Sequence, residues 1–157
     1  MCCQPPLSND DIDELFERNI AIINRAPKDI PFVGISGGEP TLLGDRLIDL
    51  LKHIRQALPD SDIHILSNGR NFKDIDYTRR VVEVAGDKLF VGIPLHSDYY
   101  KDHDIIAGAK EAYNETMAGI FNLAAFGAAM ELRIVINKLN YMRLPQMADL
   151  FIKISRL

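Results

Sequence analysis

The chain has 157 residues, of which 47% are hydrophobic and 25% are charged, and this composition is typical of a soluble domain with a core. Its formal net charge of −4 provides no basic surface for the backbone of a nucleic acid. No apolar run reaches the length of a membrane span, and the N-terminus lacks the charged and apolar regions of a signal peptide. We therefore expect a cytoplasmic protein that binds neither nucleic acid nor a membrane.

Short apolar runs alternate with amphipathic segments along the chain. Apolar residues at helical spacing between Ile12 and Ile23 predict a first helix, and prolines follow it. Four strand–helix pairs come next, with strands predicted at residues 32–36, 63–66, 89–93 and 132–136. We expect a long polar loop between the third strand and its helix. No linker or low-complexity stretch divides the chain, which predicts one domain over residues 1–157.

The four pairs predict an α/β fold with a parallel sheet, because almost continuously apolar strands are those that helices bury on both faces. Two architectures fit this pattern. A complete barrel of βα units needs about 250 residues, so the barrel hypothesis makes the chain a partial parallel (β/α) barrel, truncated at both ends. A flavodoxin-like open sheet requires no missing strands. The residues alone leave both possibilities open.

The first strand is followed by residues 36–41, with the sequence SGGEPT, at the edge where parallel βα folds form their active sites. Two glycines allow a tight bend and a close approach of the main chain to a ligand. They form no G-x-G-x-x-G pattern, and no Lys-Ser/Thr pair follows them, so a phosphate loop is disfavoured. Backbone carbonyls and a carboxylate suit a cation such as an ammonium group. A tight strand-to-helix turn without a ligand is the alternative.

Residues 37–40 (GGEP) resemble the GGEP motif of radical S-adenosylmethionine (radical SAM) enzymes, and the surrounding sequence agrees. Residues 1–2, with a proline soon after, resemble the end of that family's CxxxCxxC loop. Residues 67–69 (SNG) resemble the turn after the next barrel strand, and residues 103–108 (HDIIAG) resemble the segment before the fourth barrel helix. The opening sequence MCCQPP is similar to that of the maturases of His-Xaa-Ser peptide systems.

The resemblance implies a partial radical SAM barrel with two cofactors, S-adenosylmethionine and a [4Fe–4S] cluster. In that family the backbone of the GGEP motif holds the methionyl amino group, which assigns cofactor binding here to Gly37, Gly38, Glu39 and Pro40. Cys2 corresponds to the third cysteine of the cluster loop, and the first two are absent from the 157 residues. The implied chemistry is reductive cleavage of S-adenosylmethionine to a 5′-deoxyadenosyl radical, which abstracts a substrate hydrogen.

The resemblance also implies partners. A His-Xaa-Ser maturase modifies a ribosomally made peptide, and its cluster takes electrons from a donor such as flavodoxin or ferredoxin. A fragment with one of the three cluster cysteines is expected to be inactive by itself and to bind S-adenosylmethionine poorly. The alternatives are an inactive α/β fragment and a flavodoxin-like or nucleotide-binding domain whose SGGEPT loop contacts phosphate.

Further candidate residues lie at the other predicted strand ends. Alternation in the fourth strand places residues 132, 134 and 136 against the helices and turns Arg133 into the barrel. A buried guanidinium needs a carboxylate, which is either the methionyl carboxylate or an internal partner such as Glu131. Asn68 is either a turn residue or a cofactor contact. Ser97, after the third strand, is a candidate for the cofactor's ribose. The histidines and acids of residues 96–104 are expected to be solvated and not to bind a metal.

Overall fold

The computed structural model describes residues 9–157, and the first eight residues lie outside the described part. The α-helices within residues 9–157 are α1 (Asn9–Arg25), α2 (Asp45–Ala57), α3 (Ile75–Ala85), α4 (Tyr100–Ala107), α5 (Ala112–Ala125) and α6 (Leu144–Ile154). The β-strands are β1 (Phe32–Ile35), β2 (Asp62–Leu66), β3 (Leu89–Pro94) and β4 (Ala129–Arg133). Short 3-10 turns follow β1 and β2 (Pro40–Leu43 and Arg70–Lys73). No helix within the described range is long and apolar enough to cross a membrane.

All four strands are parallel and lie side by side in chain order, from β1 to β4. Parallel connections of this kind are right-handed, so connections that always step in the same direction collect their helices on one face of the sheet. A flavodoxin-like sheet reverses direction after its first strand, since its order is 2-1-3-4-5. The observed order excludes that alternative and is the order of a βα barrel that is open between β1 and β4.

The core lies between the sheet and its helices. Alternate residues of the central strands, Ile63 and Ile65 in β2 and Val91 and Ile93 in β3, are completely buried. The facing helices supply an equally buried set, which includes Leu47, Leu51, Ile54, Val81, Ile120 and Leu123. Each fully buried aliphatic side chain contributes about 1.5–3 kcal/mol. This contact fixes the sheet against the helices and thereby the position of every loop at the strand ends.

The other face of the sheet carries no helix in the described part of the chain. Phe32, His64 and Phe90 lie in a row across it, with ring centroids 5.5 Å and 5.0 Å apart. Gly34 is the strand partner of His64, and the ring of Phe32 is 58% exposed. Parallel sheets are normally covered on both faces, so this helix-free face is the one that lines the interior of a barrel.

The fourth strand differs from its prediction. Its register with β3 pairs Phe90 with Ala129 and Pro94 with Arg133, so β4 begins and ends three residues before the predicted range 132–136. Ile136, which was expected to pack against the helices, is 59% exposed. The expected packing against the helices therefore holds for Leu132 and Ile134, which are partly buried against the core, and not for Ile136. The polar loop predicted after β3 also differs, because it contains helix α4.

Candidate functional site at the carboxyl edge

The carboxyl ends of the four strands meet at one side of the sheet, which we call the carboxyl edge. The loops that start there cover residues 36–39 after β1, residues 67–69 after β2, residues 95–99 after β3 and residues 134–140 after β4. Because the strands are parallel and adjacent, the loops are neighbours. Every site residue predicted from the sequence lies in or beside these loops, except Cys2, which is outside the described residues.

The loop after β1 turns through two successive glycines with left-handed backbone conformations. The φ angle is 101° at Gly37 and 54° at Gly38, values that a residue with a side chain rarely adopts. A Cβ placed on Gly38 would have no atom within 4 Å, so the space over this stretch of main chain is open. Pro40 is buried and begins the following 3-10 turn, which fixes the exit from the loop.

The carboxylate of Glu39 turns back into the protein and joins the first two loops. Its Oε1 accepts hydrogen bonds from the amide and hydroxyl of Thr41, at 3.2 Å and 2.7 Å, and from the Ser67 hydroxyl at 2.7 Å. Its Oε2 accepts from the Asn68 amide at 2.7 Å. Burial, and then the charge of Glu39, raises the pKa of Tyr77 to about 12, which keeps that phenol protonated to donate to the Thr41 carbonyl at 3.3 Å.

The loop after β2 is docked on α5. The side chain of Asn68 accepts a hydrogen bond from the Arg70 amide at 2.9 Å, as an asparagine does in a turn. The main-chain carbonyl of Asn68 accepts a hydrogen bond from the Thr116 hydroxyl at 2.9 Å. Gly69 is left-handed with φ 80°. Gly119 of α5 lies so close that a Cβ there would overlap the Gly69 carbonyl oxygen. The side chain of Asn68 is thus engaged in its own turn.

Two hydrogen bonds hold the loop after β3, one to a buried serine and one to a buried histidine. The Ser97 hydroxyl is buried and accepts from the Tyr99 amide at 3.1 Å. The His96 amide donates to His103 Nδ1 at 3.2 Å, so the proton of the neutral His103 ring is on Nε2. The expectation of a solvated side chain is wrong for His103, which lies on α4, is 2% exposed and has its pKa lowered by burial to about 4.

The loop after β4 is fastened to the end of β3 by polar side chains. Asn140 is completely buried, and its amide group donates to the His96 carbonyl at 2.9 Å while its oxygen accepts from the Asn137 amide at 2.8 Å. Arg143 makes two hydrogen bonds to the carboxylate of Asp98, at 2.8 Å and 2.6 Å. These contacts fix the loop after β3 and the loop after β4 relative to each other.

Arg133 ends β4 on the helix-free face, with its Nε 3.4 Å from where a Cβ on Gly92 would be. Its guanidinium donates two hydrogen bonds to Glu131 Oε2, at 2.8 Å and 2.6 Å. Its side chain is 46% exposed, so the prediction of a buried guanidinium is wrong, and the internal partner is Glu131. An exposed pair of this kind contributes little to stability, so an anion can compete for the guanidinium at small cost.

Helix α1 begins at the carboxyl edge. Near its start Asp13 forms an ion pair with Arg46 at the start of α2, and near its end the side chain of Asn24 is 2.9 Å from His53 Nε2 near the end of α2. The two helices therefore run in the same direction, and α2 starts directly after the loop at the carboxyl edge. Within residues 9–157, no group of three His, Cys, Asp or Glu side chains is arranged to hold a metal.

Comparison with known proteins bears on the fold. No protein-family model and no curated protein matches the chain. The chain is similar to the solved structure of native anSMEcpe with bound AdoMet and Kp18Cys peptide, which is a radical SAM enzyme. The TM-score is 0.67 at 19% sequence identity, over 90% of this chain and 40% of the neighbour's. The chain has the fold of a partial radical SAM barrel. It spans less than half the length of that neighbour.

Sequence reasoning missed the residues that hold the loops of this radical SAM-type barrel in place. They are Thr116 and Gly119 on α5, Asn140 after β4, and Ser67, which was noticed only as part of a motif. Gly119 did leave a signal, because a glycine inside a helix costs about 1 kcal/mol relative to alanine and indicates close packing. Asn140 left none, since an asparagine between two elements normally indicates an exposed turn.

Proposed function

We propose that the chain is the cofactor-binding part of a radical SAM enzyme, and that the main chain at Gly37 and Gly38 binds the methionyl amino group of S-adenosylmethionine. The observation that carries this proposal is the glycine loop itself. Two successive left-handed glycines lie at the carboxyl edge of a radical SAM-type barrel, with open space above Gly38. Main-chain carbonyls exposed by such a turn accept hydrogen bonds from an ammonium group.

Local charge also favours a cationic group over a phosphate at this loop. The carboxylate of Glu39 lies directly after the glycines and is held by Thr41, Ser67 and Asn68, which are all uncharged. Among residues 9–157, no arginine or lysine side chain forms a hydrogen bond or ion pair with this carboxylate. Its negative potential therefore extends to the main chain of the glycines, where it attracts an ammonium group and repels a phosphate. This favours S-adenosylmethionine over a nucleotide phosphate as the ligand.

The remaining predicted contacts fit the same ligand to different degrees. Arg133 presents an accessible guanidinium on the face that lines the barrel, and we propose that it binds the methionyl carboxylate in exchange for Glu131. Ser97 and Asn68 use their side chains to hold their own loops. We propose that these two residues contribute to the site mainly by fixing the main chain around the ribose and the amino acid part of the cofactor.

The residues present do not fit a complete [4Fe–4S] site. Clusters of this type are held by several cysteine thiolates, the family resemblance requires three, and the 157 residues contain two, which are adjacent. We propose Cys2 as one ligand, because it lies seven positions before Asn9, where α1 begins at the carboxyl edge, and a segment of that length spans up to about 24 Å. The cluster would supply the electron for cleavage, and we assign no step of it to this chain.

The activity of the whole enzyme is part of the same proposal. We propose a peptide substrate, because the similar structure is one with a bound peptide and because the opening sequence resembles that of His-Xaa-Ser maturases. A ribosomally made peptide rich in His-Xaa-Ser repeats is then the substrate, and flavodoxin or ferredoxin is the electron donor. The role of the residues described here is to bind and orient S-adenosylmethionine at the carboxyl edge and to exclude water from it.

The glycine loop is tested by a matched pair of variants, Gly38→Val and Gly86→Val. Both glycines have positive φ angles, 54° and 74°, and both have open space around a Cβ, so each substitution imposes backbone strain without a steric overlap. Gly86 lies between α3 and β3 at the opposite edge of the sheet. In a longer version of the protein that carries all three cluster cysteines, equilibrium dialysis with radiolabelled S-adenosylmethionine should show that Gly38→Val abolishes binding and that Gly86→Val retains it. Unchanged binding by Gly38→Val would show that this loop does not hold the cofactor.

A further inference from the structure

We propose that Ser67 is a positioning residue for the cofactor, acting through Glu39 on the glycine loop. This inference rests on the proposed function, because it assumes that the main chain at Gly37 and Gly38 binds the amino group of S-adenosylmethionine. It goes beyond that function by assigning a role to a hydroxyl in the loop after a different strand. It also gives Glu39 a role in shaping the loop.

The geometry joins both oxygens of the Glu39 carboxylate to the end of β2. The Ser67 hydroxyl donates to Oε1 at 2.7 Å and the Asn68 amide donates to Oε2 at 2.7 Å. The same Ser67 hydroxyl accepts from the Gly69 amide at 3.0 Å, so its one proton points to the carboxylate. Ser67 is 4% exposed, and hydrogen bonds to a charged acceptor in such a site are among the stronger ones.

These contacts occupy most of the Glu39 carboxylate. Oε1 accepts three hydrogen bonds, two from Thr41 and one from Ser67, and Oε2 accepts one from Asn68. Each carboxylate oxygen has two lone pairs, so Oε1 is fully used and one acceptor position remains on Oε2. The contribution that we assign to Glu39 is its charge and the shape that its anchored side chain gives to the preceding glycines.

The need for such an anchor follows from the loop. Glycines lose more conformational freedom on ordering than other residues, so Gly37 and Gly38 do not maintain one conformation by themselves. β1 fixes the loop at one end, and the Glu39 contacts fix it at the other. The β2 end of this connection is itself rigid, because Thr116 of α5 holds the Asn68 carbonyl. Without the Ser67 hydroxyl, the loop keeps its glycines but loses part of its fixed orientation.

The test compares Ser67→Ala, Ser67→Thr and a control, Thr78→Ala. Thr78 is buried like Ser67, and its hydroxyl bonds to the carbonyls of Phe72 and Asp74, which lie beyond the loop after β2, and not to Glu39. In the longer version with all three cluster cysteines, equilibrium dialysis with S-adenosylmethionine should show binding weakened by about tenfold in Ser67→Ala, as expected for loss of a hydrogen bond to a charged group. Ser67→Thr keeps the hydroxyl and should restore binding, and Thr78→Ala should lower the melting temperature without weakening binding.

A second measurement separates this inference from the proposed function. Amide hydrogen exchange at Asn68 should be faster in Ser67→Ala than in the wild type, because the carboxylate that accepts its hydrogen bond is less fixed. If Ser67→Ala binds S-adenosylmethionine as well as the wild type does, the positioning role is refuted and the proposed function stands. If the wild-type protein in the longer version with all three cluster cysteines does not bind S-adenosylmethionine at all, both are refuted, whatever the exchange rate at Asn68.

Discussion

Replacement of Gly119 by alanine should destabilise the protein, although alanine is the better helix former. In an isolated helix this change would stabilise by about 1 kcal/mol. Here the new Cβ would overlap the carbonyl oxygen of Gly69 and would lie 3.1 Å from the Cβ of Phe72. The obstacle is backbone, which cannot rotate away as a flexible side chain can. Helix α5 and the loop after β2 must therefore move apart.

The size of this destabilisation follows from the contacts that the movement breaks. Overpacking of a close contact costs about 1–3 kcal/mol. The hydrogen bond from Thr116 to the Asn68 carbonyl and the one from Asn122 to the Phe72 carbonyl, both 2.9 Å long, span the same interface, and loss of one costs about 1 kcal/mol. After the gain in helix propensity is subtracted, we expect a net loss of about 2 kcal/mol, or roughly 4–8 °C in melting temperature for a domain of this size.

Urea unfolding followed by circular dichroism measures this change, with Ala118→Gly as the control for helix propensity. The neighbouring Ala118 is only half-buried, and its replacement by glycine should cost about 1 kcal/mol. The two opposite substitutions should therefore both destabilise. If Gly119→Ala leaves the free energy of unfolding unchanged or raises it, α5 does not pack on the loop after β2 as described, and it does not support that loop.

Two further predictions concern pH and iron. Burial lowers the pKa of His103 from 6.5 to about 4, so as the pH falls the unfolded chain takes up a proton at a higher pH than the folded chain does. The free energy of unfolding of the wild type should therefore fall by about 2 kcal/mol between pH 7 and pH 4.5. His103→Asn, which keeps an acceptor for the His96 amide, should lose less in urea unfolding over that range, and an equal loss in both proteins would contradict the prediction. Anaerobic reconstitution of the 157-residue chain should yield far less than one [4Fe–4S] cluster per chain, because its two cysteines are fewer than the ligands a cluster needs. Near-stoichiometric iron and sulfide, with the electron paramagnetic resonance signal of a reducible cluster, would show that the ligand assignment is wrong.

The sequence predicted the order and type of the main elements and the location of the candidate site. Apolar runs with helical segments between them predicted four parallel strands, and all four occur. The glycine pair predicted a special backbone conformation, and both residues have positive φ angles. These predictions succeeded because they depend on local properties, namely side-chain periodicity and the conformational range of glycine. Strand adjacency then places the loops at one edge without any further information.

The sequence did not reveal which atoms the polar side chains would contact. Arg133 was expected to be buried, yet it is half-exposed beside Glu131, because it lies on the face of the sheet that no helix among residues 9–157 covers. His103 was expected to be solvated, yet it is buried, because helix α4 folds over the end of β3. Both outcomes depend on how separate elements pack, which periodicity within one element does not encode.

The sequence by itself determined that the chain builds a parallel α/β fold with a glycine loop at the end of its first strand. Only the tertiary structure decided between a barrel and an open doubly wound sheet, because strand order depends on which strands pair and not on the pattern within each strand. Only the tertiary structure showed that Glu39 is held by Ser67 and Asn68, residues 28 and 29 positions away. A hydrogen bond across two strands exists only after the sheet has brought their ends together, so its partners cannot be inferred from spacing along the chain.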